Sequence, residues 1–460
     1  MKFWPSFLIT PLIIFMALDR TYAQIKPDTS LPNNSAVSQQ GNLYTITEGT
    51  IAGRNLFHSF ESFSIPNGTI ADFVQTAPID NIISRVTGNS ISDIQGTLRS
   101  ASAANFFLLN PNGILFGPNA RLEVGGSFFA TTASGLKFAD HTEFRTDRGD
   151  QPSLLTVSTP IGLQFGQQVG TIVNAARNIN PVLGYPSGLE VLPGRTLALV
   201  GGDVILDGNL VALAGNVEVA GVDIGSDVGL AASPLGYQLD FSQVQNFRDV
   251  VMQNQARIDA TGPGAGRIAV HGNQVILRER SAITANTIGD RDGVGIEIKA
   301  SDLRLEDKSF ISASTIGTGN AGSIAIQADT IELLGSGNLL ERIRSLLEAR
   351  PQDAIADGEA AGPGDVFDDG ILTLSLGAGN SGNLTITTGK LLANNGAAIL
   401  TSTYDAGEGS NLTINAADLV RIESAILGTG TDGPGKAGDI TIATKDLAIN
   451  GSYIAIPSHL

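Results

Sequence analysis

No cysteine occurs in the 460 residues. That excludes disulfides, thiolate catalysis, Cys-ligated zinc and iron–sulfur clusters. It also means that nothing covalent would lock the chain before it had finished crossing envelope membranes. Charge is scarce as well, with 16% charged residues, 28 basic against 45 acidic. Disordered chains carry more charge and fewer branched aliphatics than this. The net charge of −17 argues against nucleic acid or an anionic membrane as the main partner. Aromatics are 6%, and the 4 His and the carboxylates are scattered. Apolar runs of helical period are missing except at one place. What is abundant is Gly (55), with Ile, Val, Leu, Thr and Asn, the composition of many short strands joined by tight turns.

Residues 1–23 have the layout of a secretory signal. Lys2 stands near the start, an apolar run spans Phe7 to Leu18, and Thr21-Tyr22-Ala23 ends in a small residue. The run is shorter than the ~20 residues a membrane crossing needs. Cleavage after Ala23 would remove Lys2, Arg20 and Asp19. That leaves 26 basic and 44 acidic residues, a charge of about −18.

The second half repeats. "GRIAVHGNQVILRERSAITANTIG" is echoed by "GIEIKASDLRLEDKSFISASTIG" and "GSIAIQADTIELL", then by three further runs. The leading apolar residues are Ile268, Ile296, Ile324, Leu384, Leu412 and Ile440, at steps of 28, 28, 60, 28 and 28. A second column, Val275, Leu303, Ile331, Leu391, Leu419 and Leu447, keeps the same steps. A third, Ile283, Ile311 and Ile399, keeps the register. Each unit holds three short alternating runs, so one face of each is apolar. A single unit cannot bury that face, but stacked units can. The expected fold is all-β, a right-handed parallel β-helix (β-solenoid) with one short helical insertion. Corners are expected to use Asn and Gly, which tolerate positive φ.

The 60-residue step implies an insertion at about 335–381. Within it "NLLERIRSLLEAR" places Leu339, Leu340, Ile343, Leu346 and Leu347 at helical spacing, and Pro351 would end the helix. The bland reading is a helix covering an exposed edge; the sharper one is a ligand-binding insertion.

From 24 to 254 strands continue without the 28-residue column. In "NFFLLNPNGILFG", Pro111 presets a turn, and Asn112-Gly113 suit the angles that follow. The stretch reads as strand, tight turn, strand at the edge of a stacked sheet. Together, "GRNLFHSFESF", "NIISRVTG", "NFFLLNPNGILFGPNA" and "GSFFATTAS" resemble, in that order, the secretion domain of two-partner secretion exoproteins, the filamentous haemagglutinin family. The likeness covers about residues 25–250. It implies a capped right-handed β-helix recognised by a dedicated outer-membrane β-barrel transporter with periplasmic domains, followed by a passenger solenoid, often an adhesin. The family's Asn-Pro-Asn motif falls on Asn110, Pro111 and Asn112, with Gly113 closing the turn as the transporter-recognition candidate. Other motif positions are Asn55, Leu56, Phe57, His58, Asn81, Arg85 and Gly88. The expected product is secreted or displayed at the cell surface, meets a glycan or protein receptor, and needs no cofactor or metal.

The rival is a secreted polysaccharide lyase or hydrolase. Such sites gather carboxylates or bases in one groove. The candidates are Asp290, Asp292, Asp365, Asp368, Asp369 and His271, each more simply a turn or packing residue. His58, flanked by Leu and Phe, reads as packed. "DRDG" lacks the rest of a calcium loop. Asn383 and Asn411 open Asn-Leu-Thr triplets that resemble glycosylation acceptors but more simply cap strands.

Overall fold

The computed structural model describes residues 25–147, 155–180, 184–233, 236–337, 339 and 369–455. The signal segment, and the helix expected around Leu340–Leu347, lie outside the described residues. So do Asp365 and Asp368.

The chain winds into a parallel β-helix. Its first sheet stacks the strands Asn55–Ser62, Asn81–Val86, Asn105–Leu109, Phe128–Thr131, Thr196–Gly201, Asn216–Gly221, Arg267–His271, Gly295–Leu305, Ser323–Leu334, Leu384–Asn394, Leu412–Glu423 and Ile440–Ala443. Each pairs in parallel with the next, which makes twelve coils among the described residues. A second sheet begins at Ser92–Ile94 and merges with the first into single long strands from Gly295–Leu305 to Leu412–Glu423, parting again on the last coil into Ile440–Ala443 and Asp446–Asn450. A third sheet runs from Leu189–Glu190 to Tyr453–Ala455.

The columns expected from the repeat are vertical stacks. Ile268, Ile296, Ile324, Leu384, Leu412 and Ile440 are register partners in turn. The first five are buried; Ile440, on the last coil, is partly exposed. Ile371 and Leu427 complete the third column between Ile311, Ile399 and Ile454. The second column needs one correction. Leu391 pairs with Val420, not Leu419, because a bulge after Thr388 adds a residue. Val420 is fully buried while Leu419 is only half-buried. Two neighbouring aliphatics offered two registers, and the stack took the one that fills the core. The long step also falls differently. Gly370–Ser375 is a third-sheet strand, so part of the interval expected as insertion belongs to the coil. Leu339 packs against Leu372 and Leu374 on its outer side.

One corner between the second and third sheets meets expectation with Asn395-Gly396, and three earlier ones depart from it. They use paired positive-φ residues at Asn254-Gln255, Glu279-Arg280 and Asp307-Lys308. Stacking supports these angles, since Gln255 N donates to Glu279 O and Arg280 N donates to Asp307 O, both at 2.8 Å. Charged residues occupy a conformation usually left to Gly or Asn.

The first seven coils are less regular. Leu56, Ile82, Phe106, Phe128, Leu197, Val217 and Ile268 stack at steps of 26, 24, 22, 69, 20 and 51 residues. The two long steps carry an antiparallel sheet of Gly135–Phe138, Glu143–Arg145, Pro160–Gln164, Asp227–Ser233 and Gly236–Asp240. This sheet lies on the outer side of the first sheet, so the strands beneath are buried on both faces. Phe106 and Leu108 point into the main core, and Phe107 and Leu109 into a second core with Phe138, Phe144, Leu163 and Tyr237. Double burial explains the unbroken apolar run Phe106–Leu109. An N-terminal cap closes the stack. The hairpin Ser35–Gln40/Leu43–Glu48 lays its second strand parallel on Ile70–Phe73, and the strand Thr50–Ala52 pairs antiparallel with the first coil.

Candidate functional site

The expected motif residues gather on the first three coils. Asn55, Asn81 and Asn105 each begin a first-sheet strand and lie in register. Their amides form a ladder. Asn105 Nδ2 donates to Asn81 Oδ1 (3.1 Å), and Asn81 Nδ2 donates to Asn55 Oδ1 (2.9 Å). Asn55 Nδ2 donates in turn to Thr156 O (3.0 Å) and Ser158 O (2.8 Å), beside the flanking sheet. Upward, Ser127 N donates to Asn105 Oδ1 (3.1 Å) and Thr196 N to Ser127 Oγ (3.0 Å). Buried amides demand partners, and stacking supplies one per coil. Asn105, Ser127 and Thr196 were not among the expected site residues. The sequence signal was an Asn directly before successive apolar runs.

Leu56 points into the core, while Phe57 turns outward against Phe138 and Phe144 at 5.9 and 4.9 Å between ring centres. His58 is buried, with Nδ1 2.9 Å from Ser35 Oγ of the cap and its ring edge-on to Phe73. Burial lowers His58 to about 3, so the ring is neutral at pH 7. It ties the cap to the first coil.

Arg85 is the largest polar side chain in the buried set. Its Nε donates to Ser59 Oγ (2.9 Å), its Nη2 to Ser30 Oγ (3.0 Å), and its Nη1 to the Arg145 carbonyl. The guanidinium lies 4.2 Å over the Phe144 ring. Asp28 beside it accepts from Ser59 Oγ (2.7 Å), Ser30 Oγ (2.6 Å) and Thr87 Oγ1 (2.6 Å). Burial pushes Asp28 up, but these hydroxyls outweigh it and hold the carboxyl below its usual value. One side chain thus joins cap, first sheet and flanking sheet.

The Asn-Pro-Asn-Gly stretch is a corner between first and second sheets in the third coil, with coils on both sides, not a turn at a sheet edge. Asn110 is fully buried; Nδ2 donates to Ser90 O and Ser92 Oγ, both at 3.0 Å. Asn112 N donates to Asn110 Oδ1 (3.0 Å) and Gly113 N to Asn110 O (3.1 Å), which closes the turn. Asn112 Nδ2 donates to Gly88 O (2.8 Å), and Gly170 N donates to Pro111 O (2.9 Å). The corner therefore binds the coil below and the coil above. Gly113 has φ 127°, and a Cβ there would come 3.0 Å from Thr171 O. At Gly88 a Cβ would stand 2.1 Å from Glu61 O. Gly88, Pro111 and Asn112 line a groove of about 550 Å³ with Arg145, Asp147 and Gln168. Arg145 is paired with Asp147 and Glu143, so the groove carries no lone cation there.

The enzyme candidates stay apart. Asp292 Oδ1 accepts from Asn320 N (2.9 Å), and buried Asp369 accepts from Ser336 N (2.9 Å). Asp290 is exposed in its loop. His271 stacks on Phe241 at 4.3 Å, and burial lowers it to about 4. Asn383 and Asn411 form a second ladder: Asn411 N donates to Asn383 Oδ1 (3.1 Å), and Asp439 N to Asn411 Oδ1 (2.9 Å). Among the described residues no three His, Asp or Glu side chains converge to hold a metal ion.

A capped, cysteine-free parallel β-solenoid defines the class. The model of the TPS (two-partner secretion) secretion domain matches residues 23–270, more than half of the chain, and the chain belongs to that family. It is an exoprotein of the two-partner pathway, which implies a cognate outer-membrane transporter. The crystal structure of the HMW1 secretion domain from Haemophilus influenzae is similar at 15% identity, covering 94% of this chain and 98% of that one, with a TM-score of 0.51. The filamentous haemagglutinin secretion domain matches at 18% identity over 68% of this chain and 100% of that one, with a TM-score of 0.34. No curated protein matches.

Proposed function

We propose that residues 1–23 are a cleaved signal, 24–254 the secretion domain that engages the transporter, and 255–460 a passenger with an adhesin- or haemagglutinin-like role at the cell surface or in the medium. The carrying observation is the family match over residues 23–270, which spans the irregular, capped half of the solenoid. The receptor would be a glycan or protein on another cell, and the acidic charge disfavours nucleic acid. The role is structural and adhesive rather than catalytic; the scattered Asp290, Asp292, Asp369 and His271 support that reading.

The Asn110–Gly113 segment acts twice in this reading. The transporter takes it while the chain is extended, by strand addition. Outside, the same residues close the corner and lock three coils. Each coil added then makes backsliding costlier, so stacking drives export. Deleting residues 24–250 abolishes appearance in the medium; wild-type export of that variant would overturn the proposal. Asn110→Ala with Pro111→Ala leaves precursor in the periplasm, and normal secretion would remove the role of the corner. Purified passenger releases no reducing ends from a glycan panel; such release would favour the lyase or hydrolase instead.

A further inference from the structure

Three charged side chains from successive coils meet where the matched segment gives way to the regular repeat: Glu218 and Glu297 share a column through Ala269, and Arg267 reaches both diagonally. Glu218 lies on the sixth coil, Arg267 on the seventh and Glu297 on the eighth. Arg267 Nη1 lies 2.6 Å from Glu218 Oε1, and Nη2 lies 2.7 Å from Glu297 Oε2. Lys299 Nζ closes the series at 2.6 Å from Glu297 Oε1. Glu218 is fully buried; the Leu239 backbone helps to hold its carboxyl, while Oε2 makes no well-formed hydrogen bond among the described residues. A dry carboxyl held by one guanidinium and one backbone group is an expensive way to join two coils. The later coils are joined by aliphatic columns, exposed ion pairs and backbone-to-amide ladders, with no fully buried carboxylate among the described residues.

We propose that Glu218, Arg267 and Glu297 form a clasp fastening the first regular coils to the secretion domain, with Arg267 its positioning residue and Glu218 its proton-responsive member, so that the seam is firm in acid and loosens in alkali. Arg267 and Glu297 act on Glu218 directly; His271 and Lys299 act on or beside Glu297, and Asp240 of the flanking sheet feels Lys299. His271 is neutral at pH 7, its Nδ1 buried without a partner. Burial pushes the Glu218 carboxyl up to about 8, against the pull of Arg267. A group raised above its unfolded value of 4.5 stabilises the folded state fully below that value. The contribution is lost as pH rises through about 8. Opening of this seam would free the passenger coils from the secretion domain without unwinding either.

Hydrogen exchange on the purified full chain tests this, with protection corrected for intrinsic rates. Between about pH 7 and about pH 9, above the range in which His271 titrates, protection of Arg267–His271 and Gly295–Leu305 falls about tenfold in the wild type. Glu218→Gln keeps the shape and flattens the profile to within about twofold. Arg267→Met lowers protection of the same strands by about tenfold, and adding Glu218→Gln restores part of it. A Glu218→Gln chain that keeps the full fall with pH overturns the proposal, as do losses from the two substitutions that simply add. Should Arg267→Met not fold, the Glu218→Gln profile alone decides.

Discussion

The two halves of this solenoid, the secretion half and the proposed passenger, are held by different means. Its secretion half is packed with named partners. Among the described residues, Arg85 and the fully buried phenylalanines, from Phe57 to Phe165, all lie in this half. The first sheet there is covered on both sides, and Asn55 reaches Ser158, 103 residues away. The passenger is packed by repetition. Its columns are Ile, Leu and Val, each contacting the coil below and the coil above. Its polar ladders run one coil at a time, as Asn380 N donates to Asn320 Oδ1 and Glu408 N donates to Asn380 Oδ1. A long-range core gives one cooperative block, and a nearest-neighbour stack gives a series of small ones. A chain that must fold progressively from one end is served by the second arrangement, once the first has formed a base.

Four changes would break or sharpen that contrast. Phe106→Ala removes a ring packed between Phe73 and Phe128 and should cost about 3–5 kcal/mol. Chemical denaturation followed by proteolysis should show the whole secretion half lost together. Ile324→Ala, at the centre of a passenger column, should cost about 2–4 kcal/mol. Exchange should rise only in the coils beside it; if the secretion half opened equally, the contrast would fail. Acid should next separate the capped first coils from the passenger coils beyond His271. His58 is lowered from 6.5 to about 3, so the unfolded chain binds a proton that the folded one refuses. Stability of the secretion half then falls as pH drops below 6.5, by about 1.4 kcal/mol per unit until about 3. His58→Gln should flatten that slope in a urea titration at several pH values. The smallest effect is Asn81→Ala, which interrupts the amide ladder and leaves Asn55 Oδ1 and Asn105 Nδ2 short of a partner. A loss of about 1–3 kcal/mol, read from the urea midpoint, is expected.

Much of the passenger could be read from its residues because its information is local. Alternation marks the inner face, and the 28-residue step marks the stack. One slip shows the limit of that reading. Leu419 and Val420 are equally apolar, and only contact with Leu391 on the coil below selects Val420. Glu279-Arg280 and Asp307-Lys308 make the same point at the corners, where stacked backbone hydrogen bonds hold angles their types disfavour.

The secretion half was legible as strands and as a set of motifs, but not as a site. His58 and Arg85 could be singled out by resemblance. Their work depends on Ser35, Ser30, Asp28 and Phe144, which come from a cap and a flanking sheet outside any local period. By itself, then, the order of residues determined a cysteine-free stack of short strands, its inner face and its spacing, since those follow from side-chain alternation and repetition along the chain. The tertiary structure alone decided which polar groups meet, where Glu218 is left dry beside Arg267, and what covers the outer face of the first sheet. Those outcomes depend on segments distant in sequence, and no periodicity encodes how far apart in the chain two partners must lie.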